Sequence, residues 1–523
     1  MSLTVILIVA GVLSISLPLS SSGPLWPDGQ WYVFNGILIH DMIRDGAVFS
    51  PYAYNVTFYA QYPATNLPYG PPFFAVVNAI AFSLFGISFS VSRYVVAFYT
   101  VCASLMCWFM VYRIYEDYWL SVIAVAVFLF NPFTLANSRD ITPELPVAFY
   151  SFLTVYFYYY YVEYGRKRFG LLAAISLSLG YLTKPYIIPL GASLFIYILI
   201  FKKWSVLRKS ETWVGIMIAI ILIVPYTILS LSFTTEYLVH PAPIAWDLMA
   251  VYPVIFIGHA PFITVFAVFG FFIGLIKKDK LILLSLIWAV CWYLFFTFYI
   301  RNTNGEKYLA TFIPAMIAPS AIVLHGMVSR IKSVHLKRVV IISIAIGFLY
   351  RASQTPFYYV YGYETAAEYV ANNRKGKSVL FYGSYDGSFM LGIRKRSPMG
   401  GIIVLRGDRQ LATRLWWGEL KDNSTIRTGQ EIIDLLNKYQ TGYVVVENEM
   451  PLAKNYSEYL ILNKTLKSKE HSREIERFPI ETNYRKLGTE LIIYEFNRDP
   501  EADEAIIITF PVPTLEREIK VAF

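Results

Sequence analysis

Charge is scarce in this chain. Asp, Glu, Lys and Arg make up 15% of its 523 residues, against about 25% in an average soluble domain. With 56% of residues hydrophobic, the balance argues against a water-soluble fold of this size. Cysteine is scarcer still: Cys102, Cys107 and Cys291 are the only three, each inside an apolar run, and they form neither a disulfide framework nor a metal-ligand spacing. No internal repeat is visible, and no low-complexity stretch beyond the aromatic run Tyr156–Tyr161. The net charge of +9 does not point to nucleic acid, because the basic residues fall in short loops between apolar runs rather than in a patch.

What the chain has instead is length of apolar sequence and aromatic rings. Aromatics reach 17%, with 41 Tyr and 38 Phe, a usage that suits membrane–water interfaces. A span needs roughly 17–25 apolar residues. Runs of that kind are expected near 3–20, 92–113, 118–136, 145–163, 169–183, 186–201, 213–232, 251–275, 281–300, 308–328 and 338–352. The run at 3–20 has no positive n-region and no clear cleavage site, which predicts a retained helix rather than a signal peptide. Thr183-Lys184-Pro185 predicts a break between two short helices, since an interior proline removes a helix hydrogen bond and clashes with the preceding turn. The run 71–87 opens with Pro71-Pro72 and either spans or lies along the interface.

Basic residues set the orientation. Arg113, Arg166 to Arg168, Lys202, Lys203, Arg208, Lys209, Lys277, Lys278, Lys280, Arg330, Lys332, Lys337 and Arg338 fall in alternate loops, which makes those loops cytoplasmic by the positive-inside rule. Parity holds only if 71–87 does not fully cross, or pairs with another short segment. The fold class expected is therefore a polytopic α-helical membrane protein of about 11–13 spans, a transmembrane domain at 1–353 with a long first outer loop at 21–70. From about 354 the apolar runs shorten to strand length. Ser378–Tyr382 and Gly442–Glu447 read as buried strands, and Gln430–Tyr439 as an amphipathic helix. The tail, 354–523, is long enough for one α/β domain, placed by parity outside the cytoplasm.

The outer loops then share one surface, and their polar residues can be read together. Pro27-Asp28-Gly29 opens the first loop, and Tyr69-Gly70-Pro71-Pro72 closes it. Ser138-Arg139-Asp140 leads to Pro143-Glu144, and Thr183-Lys184-Pro185 and Arg301 to Lys307-Tyr308 follow. Ionisable groups at a hydrocarbon boundary are costly and mark substrate paths. Three acids with several cations suit a reaction that needs one base and a clamp for an anionic leaving group. A polyprenyl-phosphate sugar donor has that chemistry: its tail lies in the bilayer and its phosphate at the interface, where Arg and Lys can hold it. Phosphate leaves without a second carboxylic acid to protonate it, unlike the leaving group in a glycosidase.

The ordered set resembles the GT-C membrane glycosyltransferases, particularly the protein O-mannosyltransferase and lipid A aminoarabinose transferase branch. The resemblance rests on Asp28 early in the first loop, Tyr69-Gly70-Pro71-Pro72, Ser138-Arg139 with Glu144 five residues beyond Arg139, Thr183-Lys184, and Lys307-Tyr308 before Pro314. It covers about the first 330 residues. Many relatives carry an Asp-Glu pair where this chain has Asp28-Gly29, and here the Tyr-Pro-Pro element holds an inserted Gly. The resemblance implies an inverting transfer of a monosaccharide from a polyprenyl-phosphate (dolichyl-phosphate-type) donor to a hydroxyl of a protein, lipid or glycan acceptor. Asp28 would be the base and Glu144 or Asp140 would orient acceptor or sugar. Arg139, Lys184 and Lys307 would hold the carrier phosphate, with Tyr69 and Tyr308 beside them.

Plainer readings stand beside each of these. Pro-Asp-Gly is a turn signal, Arg139 and Asp140 can pair at a helix end, and Glu144 suits a helix N-terminus. Lys184 and Lys307 can simply snorkel. His40, His240 and His259 have no metal spacing, so no metal site is assigned; no cofactor is required, and a divalent metal stays open. Trp416-Trp417-Gly418 lacks the acid of an oligosaccharyltransferase signature. The sequons at Asn55, Asn423, Asn455 and Asn463 fall on the expected outer side. The rival functions are a membrane transporter or lipid-linked sugar flippase, which would favour internal repeats, and a scaffold whose outer domain binds a partner.

Overall fold

The computed structural model describes residues 23, 27–66, 70–238, 248–300, 306–354, 358–412, 424–451, 453–468, 470–483, 487–497, 506–512 and 517–522. The expected span near 3–20, Tyr69, Arg301 and Trp416-Trp417 lie outside them. In chain order the helices are α1 (Pro27–Arg44), α2 (Pro51–Gln61), α3 (Phe73–Phe85), α4 (Phe89–Tyr115), α5 (Tyr118–Leu129), α6 (Pro132–Ser138), α7 (Glu144–Tyr164), α8 (Lys167–Thr183), α9 (Ile188–Ile200) and α10 (Ser210–Leu238). They continue with α11 (Leu248–His259), α12 (Pro261–Lys277), α13 (Lys280–Phe295), α14 (Ile313–Ser329), α15 (Val334–Gln354), α16 (Tyr363–Asn372), α17 (Asp386–Arg396), α18 (Gly429–Lys438) and α19 (Ser457–Lys467). Contacts group the chain into two compact units. One comprises Ser92–Phe357 and Pro68–Phe74, with the chain start; the other joins Ser21–Leu67 and Ala75–Val91 to Tyr358–Phe523. This grouping differs from a single boundary at 353, because the first loop clusters with the tail.

In the helical unit α7 packs on α8, α8 on α10, α9 on α13, α12 on α14 and α14 on α5. Where helices touch most closely, side chains vanish. A Cβ on Gly270 of α12 would stand 2.2 Å from the carbonyl oxygen of Pro319 in α14, so glycine is what lets these backbones meet, as is usual between apolar helices. Among the described residues three helices are long and apolar enough to cross a membrane: Phe89–Tyr115, Ser210–Leu231 and Lys280–Tyr299. Two bent pairs, Tyr118–Leu129 with Pro132–Ser138 (63°) and Met249–His259 with Pro261–Lys277 (114°), raise that to five if each is one span. The other described runs expected as spans form helices too short or too polar by that measure. Phe73–Phe85, the doubtful run, has 13 residues; Pro185–Ile200 and Ile313–Ser329 are also short. The apolar window of Ser210–Leu231 is only 6% buried, leaving a nearly all-apolar surface that suits lipid.

The tail builds a mixed five-stranded sheet, with two small two-stranded ladders beside it. The strands are β1 (Val360–Tyr361), β2 (Ser378–Tyr382), β3 (Ile403–Arg406), β4 (Thr441–Glu447), β5 (Ser472–Pro479), β6 (Glu481–Thr482), β7 (Glu490–Phe496), β8 (Ile507–Val512) and β9 (Arg517–Ala522). The main order is β3-β2-β4-β7-β5, parallel among β3, β2 and β4 and antiparallel beyond. Both strands expected from apolar runs are present, and every residue of each is buried. The amphipathic helix is α18, capped by Thr428, whose hydroxyl accepts from Glu431 N–H. The edge strand β5 is mostly exposed and carries Arg473, Glu474, Glu476 and Arg477, charges that guard an open edge against further pairing.

The first loop enters this core. Ala60 belongs to the cluster of Leu380, Tyr382, Leu405 and Val446, with Val56 packed against it. Arg406 at the end of β3 donates to the Pro63 carbonyl at 3.1 Å and pairs with Asp386 and Asp408, both at 2.7 Å. Burial raises the pKa of both acids; at Asp408 the charge and hydrogen bonds of Arg406 outweigh it and hold the carboxyl below its usual range, whereas Asp386 stays raised.

Glu447, fully buried at the end of β4, ties three connections together. It accepts from Ser384 N–H (2.6 Å), Ser384 Oγ (3.1 Å), Gly488 N–H (2.7 Å) and Tyr363 OH (2.8 Å). A Glu447→Gln substitution turns an acceptor into a donor facing backbone N–H groups. An unsatisfied buried donor costs about 1–3 kcal/mol, so melting of the purified protein should shift down by several degrees. An unchanged melting curve would mean that the carboxylate does not hold these loops.

Candidate functional site

The polar residues of the helical unit gather where two helices are interrupted. α8 ends at Thr183 because Pro185 follows, and Lys184 is pushed into extended backbone (φ −161°, ψ 125°), as the residue before a proline prefers. A 3₁₀ turn, Pro185–Ile187, then restarts the helix. The break expected at Thr183-Lys184-Pro185 is therefore present, and it releases Lys184 from helical register. α7 starts at Glu144 with Pro143 as its N-cap residue.

These two breaks bring Lys184 and Glu144 together. The ammonium pairs with Glu144 Oε1; Glu144 is fully buried and Lys184 is 7% exposed. Lys184 Nζ also lies 4.9 Å from the ring centres of both Tyr186 and Tyr308, and those rings meet edge-on at 4.8 Å. A cation over ring faces is held by their quadrupoles. The second oxygen of Glu144, Oε2, is buried with no hydrogen-bond partner among the described residues. Burying an acid is costly unless its remaining lone pairs find donors, so this oxygen is suited to accept from a bound hydroxyl.

The connection into α7 is fixed from several sides. Asn131 caps α6, its side chain accepting from Phe133 N–H at 2.9 Å. Thr142 Oγ1 donates to Asn137 Oδ1 at 3.1 Å. Asp140 is buried, and its Oδ1 accepts from Ile141 N–H at 2.8 Å. Arg139 is half-buried, and its carbonyl accepts from Arg93 Nε at 3.1 Å. Tyr308 stands on the 3₁₀ turn Glu306–Thr311, whose Thr311 accepts from Trp292 Nε1 at 3.0 Å.

Of the residues expected from sequence, Glu144, Lys184 and Tyr308 meet directly. Arg139 and Asp140 occupy the connection leading into α7. Asp28 belongs to the other unit, where Pro27 opens α1 and Asp28 sits in its first turn; the Pro-Asp-Gly turn is thus replaced by a helix start, which proline at the first position favours. Tyr69 and the side chain of Lys307 lie outside the described residues. Two contributors were not singled out. Arg93, 1% exposed, has no motif around it to mark it. Tyr186 likewise has none, and only the break at Pro185 brings its ring to Lys184. Among the described residues no group of three or more His, Cys, Asp or Glu is placed to hold a metal ion.

The chain thus combines a unit of broken apolar helices, with a buried acid–lysine pair at the breaks, and an α/β tail. Residues 69–229 match the family of dolichyl-phosphate-mannose-protein mannosyltransferases. The chain is similar in structure to ArnT from Cupriavidus metallidurans in the apo state, with TM-score 0.64 and 15% identity over 95% of this chain and 99% of that one. It is similar also to ArnT from the same organism bound to undecaprenyl phosphate, with TM-score 0.61 and 14% identity over 96% and 99%. No curated protein matches the sequence. The fold is that of the ArnT structures.

Proposed function

We propose that this protein is an inverting glycosyltransferase that moves a monosaccharide from a polyprenyl-phosphate donor to an acceptor hydroxyl at the outer face of the membrane. The observation that carries the reading is the buried Glu144–Lys184 pair between Tyr186 and Tyr308. As the glycosidic bond breaks, the carrier phosphate gains charge, and fixed cations at that point lower the barrier. Lys184, Arg139 and Lys307 are assigned to that phosphate, Tyr69 and Tyr308 to the donor's surroundings. Glu144 Oε2, or Asp140, takes a hydrogen bond from the sugar or acceptor, and Asp28 removes the acceptor proton as the hydroxyl attacks the anomeric carbon. The ArnT structure bound to undecaprenyl phosphate supports the donor class.

The same reading makes the chain a multi-pass membrane protein with residues 354–523 extracytoplasmic. A transporter or flippase is disfavoured by the lack of internal repeats and by a fold shared with glycosyltransferases. The test is transfer in proteoliposomes from a labelled polyprenyl-phosphate sugar to a panel of protein, lipid and glycan hydroxyls. Labelled product with release of polyprenyl phosphate is expected. Movement of intact donor between leaflets without cleavage would sink the enzyme reading.

A further inference from the structure

The geometry points to the C-terminal domain as the positioning device for the candidate base: through Gln30 and the Asp41–Arg394 pair it fixes the rotation and register of the helix that carries Asp28. This rests on the reading of Asp28 as the base.

The observations all lie within one compact unit. α1 buries Val33, Phe34 and Ile37 completely, but the same helix buries three polar side chains, Gln30, Asn35 and Asp41, to 1% exposure or less. Gln30 Oε1 accepts from Ser388 N–H at 2.9 Å. Asp41 Oδ2 accepts from Arg394 Nη2 at 2.6 Å and from Nε at 3.2 Å, while its Oδ1 lies 3.0 Å from His40 Nδ1 and 3.3 Å from Arg44 Nη1. Ser388 and Arg394 both belong to α17. One tail helix therefore grips α1 twice, at residues 11 positions apart, which is about 16 Å along a helix axis. The approach is close: a Cβ on Gly387 would stand 2.5 Å from Gln30 Cβ. Asn35 Oδ1 accepts from Asn66 N–H at 3.0 Å, fastening the far end of the first loop. Beyond α2 the Gln61 amide reaches the Ile402 carbonyl at 3.2 Å and accepts from Gly400 N–H at 2.9 Å, and Tyr62 OH donates to the Ser397 carbonyl at 2.6 Å.

Packing alone does not need this arrangement. Apolar residues of similar volume in place of a buried ion pair are often neutral or stabilising. What a two-pronged guanidinium–carboxylate contact adds is direction, and two such grips leave a helix no freedom to slide or roll. Asp28 lies two residues before the first grip, in the first turn of α1, so its carboxylate points where Gln30 and Asp41 set it. A base must stand within hydrogen-bond reach of the proton it removes, and a misplacement of about 1 Å can cost about a hundredfold in rate. Asp41, Arg394 and Gln30 are thus positioning residues, acting through Asp28.

The experiment uses the full chain in proteoliposomes with a polyprenyl-phosphate sugar and an acceptor that supports turnover. Arg394→Ala is compared with wild type, and both are repeated in an Asp28→Asn background. The double variant Asp41→Leu with Arg394→Met removes both charges together, so that no orphaned ion is left to unfold the tail. Expected is a drop in kcat of about tenfold to a hundredfold for Arg394→Ala and for the double variant, with donor KM within about twofold. Arg394→Lys, which keeps the charge and loses the fork, should fall between. In the Asp28→Asn background the same changes should cost nothing further. A further loss of equal size there, or an unchanged kcat in the double variant, would assign the grip to plain packing and overturn the inference while the base reading stands. Full activity of Asp28→Asn alone would remove the base reading itself, and the two failures are told apart by that single variant.

Discussion

Replacing Asp28 by Asn should lower sugar transfer by at least about a hundredfold, the low end for removal of a general base, with donor affinity unchanged. The substitution keeps the shape of the side chain and removes its proton affinity. It also keeps the helix start, since α1 opens at Pro27, and loses only the acid's interaction with the helix dipole, about 0.3–1 kcal/mol. Binding of a labelled polyprenyl-phosphate sugar, measured beside turnover, separates the outcomes. If binding holds and kcat collapses, the donor site is intact and the missing step is deprotonation of the acceptor. The pH–rate profile adds a second check, because the acidic limb set by the base should vanish with it. A loss of binding equal to the loss of rate would instead place Asp28 on the donor, and an unchanged rate would move the base to Asp140 or Glu144.

The local features of this architecture were legible and its long-range grouping was not. Apolar runs of strand length at Ser378–Tyr382 and before Glu447 became β2 and β4 because their residues are buried on both faces, a pattern alternation cannot mimic. Lys184 before Pro185 announced the break, since both residues act on their immediate neighbours. Glu144 after Pro143 announced the start of α7 in the same way. By contrast, Asp41 and Arg394 are separated by 353 positions, and no periodicity in either segment names the other. How an apolar run divides into helices was less legible for a related reason. Apolarity marks where chain can leave water, but prolines and bends at Asn131-Pro132 and Ala260-Pro261 decide whether a run becomes one rod or two.

Substitution of Lys184 by Met should produce two separable effects. Glu144 would then be a fully buried acid without its cation. Breaking a buried pair from one side costs about 3–5 kcal/mol, unless the acid takes up a proton. Thermal stability in detergent should therefore fall clearly. Transfer should fall by about 10²–10³, the scale for loss of one fixed charge-stabilising group. Glu144→Gln leaves the lysine without its acid and should also lower both. The decisive variant combines them. Lys184→Met with Glu144→Gln removes both charges, leaves no isolated ion, and retains a side chain that can hydrogen bond at position 144, so melting should return most of the way to wild type. Transfer should not return, because the phosphate would still lack its cation between Tyr186 and Tyr308. Recovery of transfer together with stability would show that the pair holds α7 against the break after α8 and takes no part in the chemistry. Stability without transfer ties the buried pair to the reaction, and it does so whatever acceptor is finally identified.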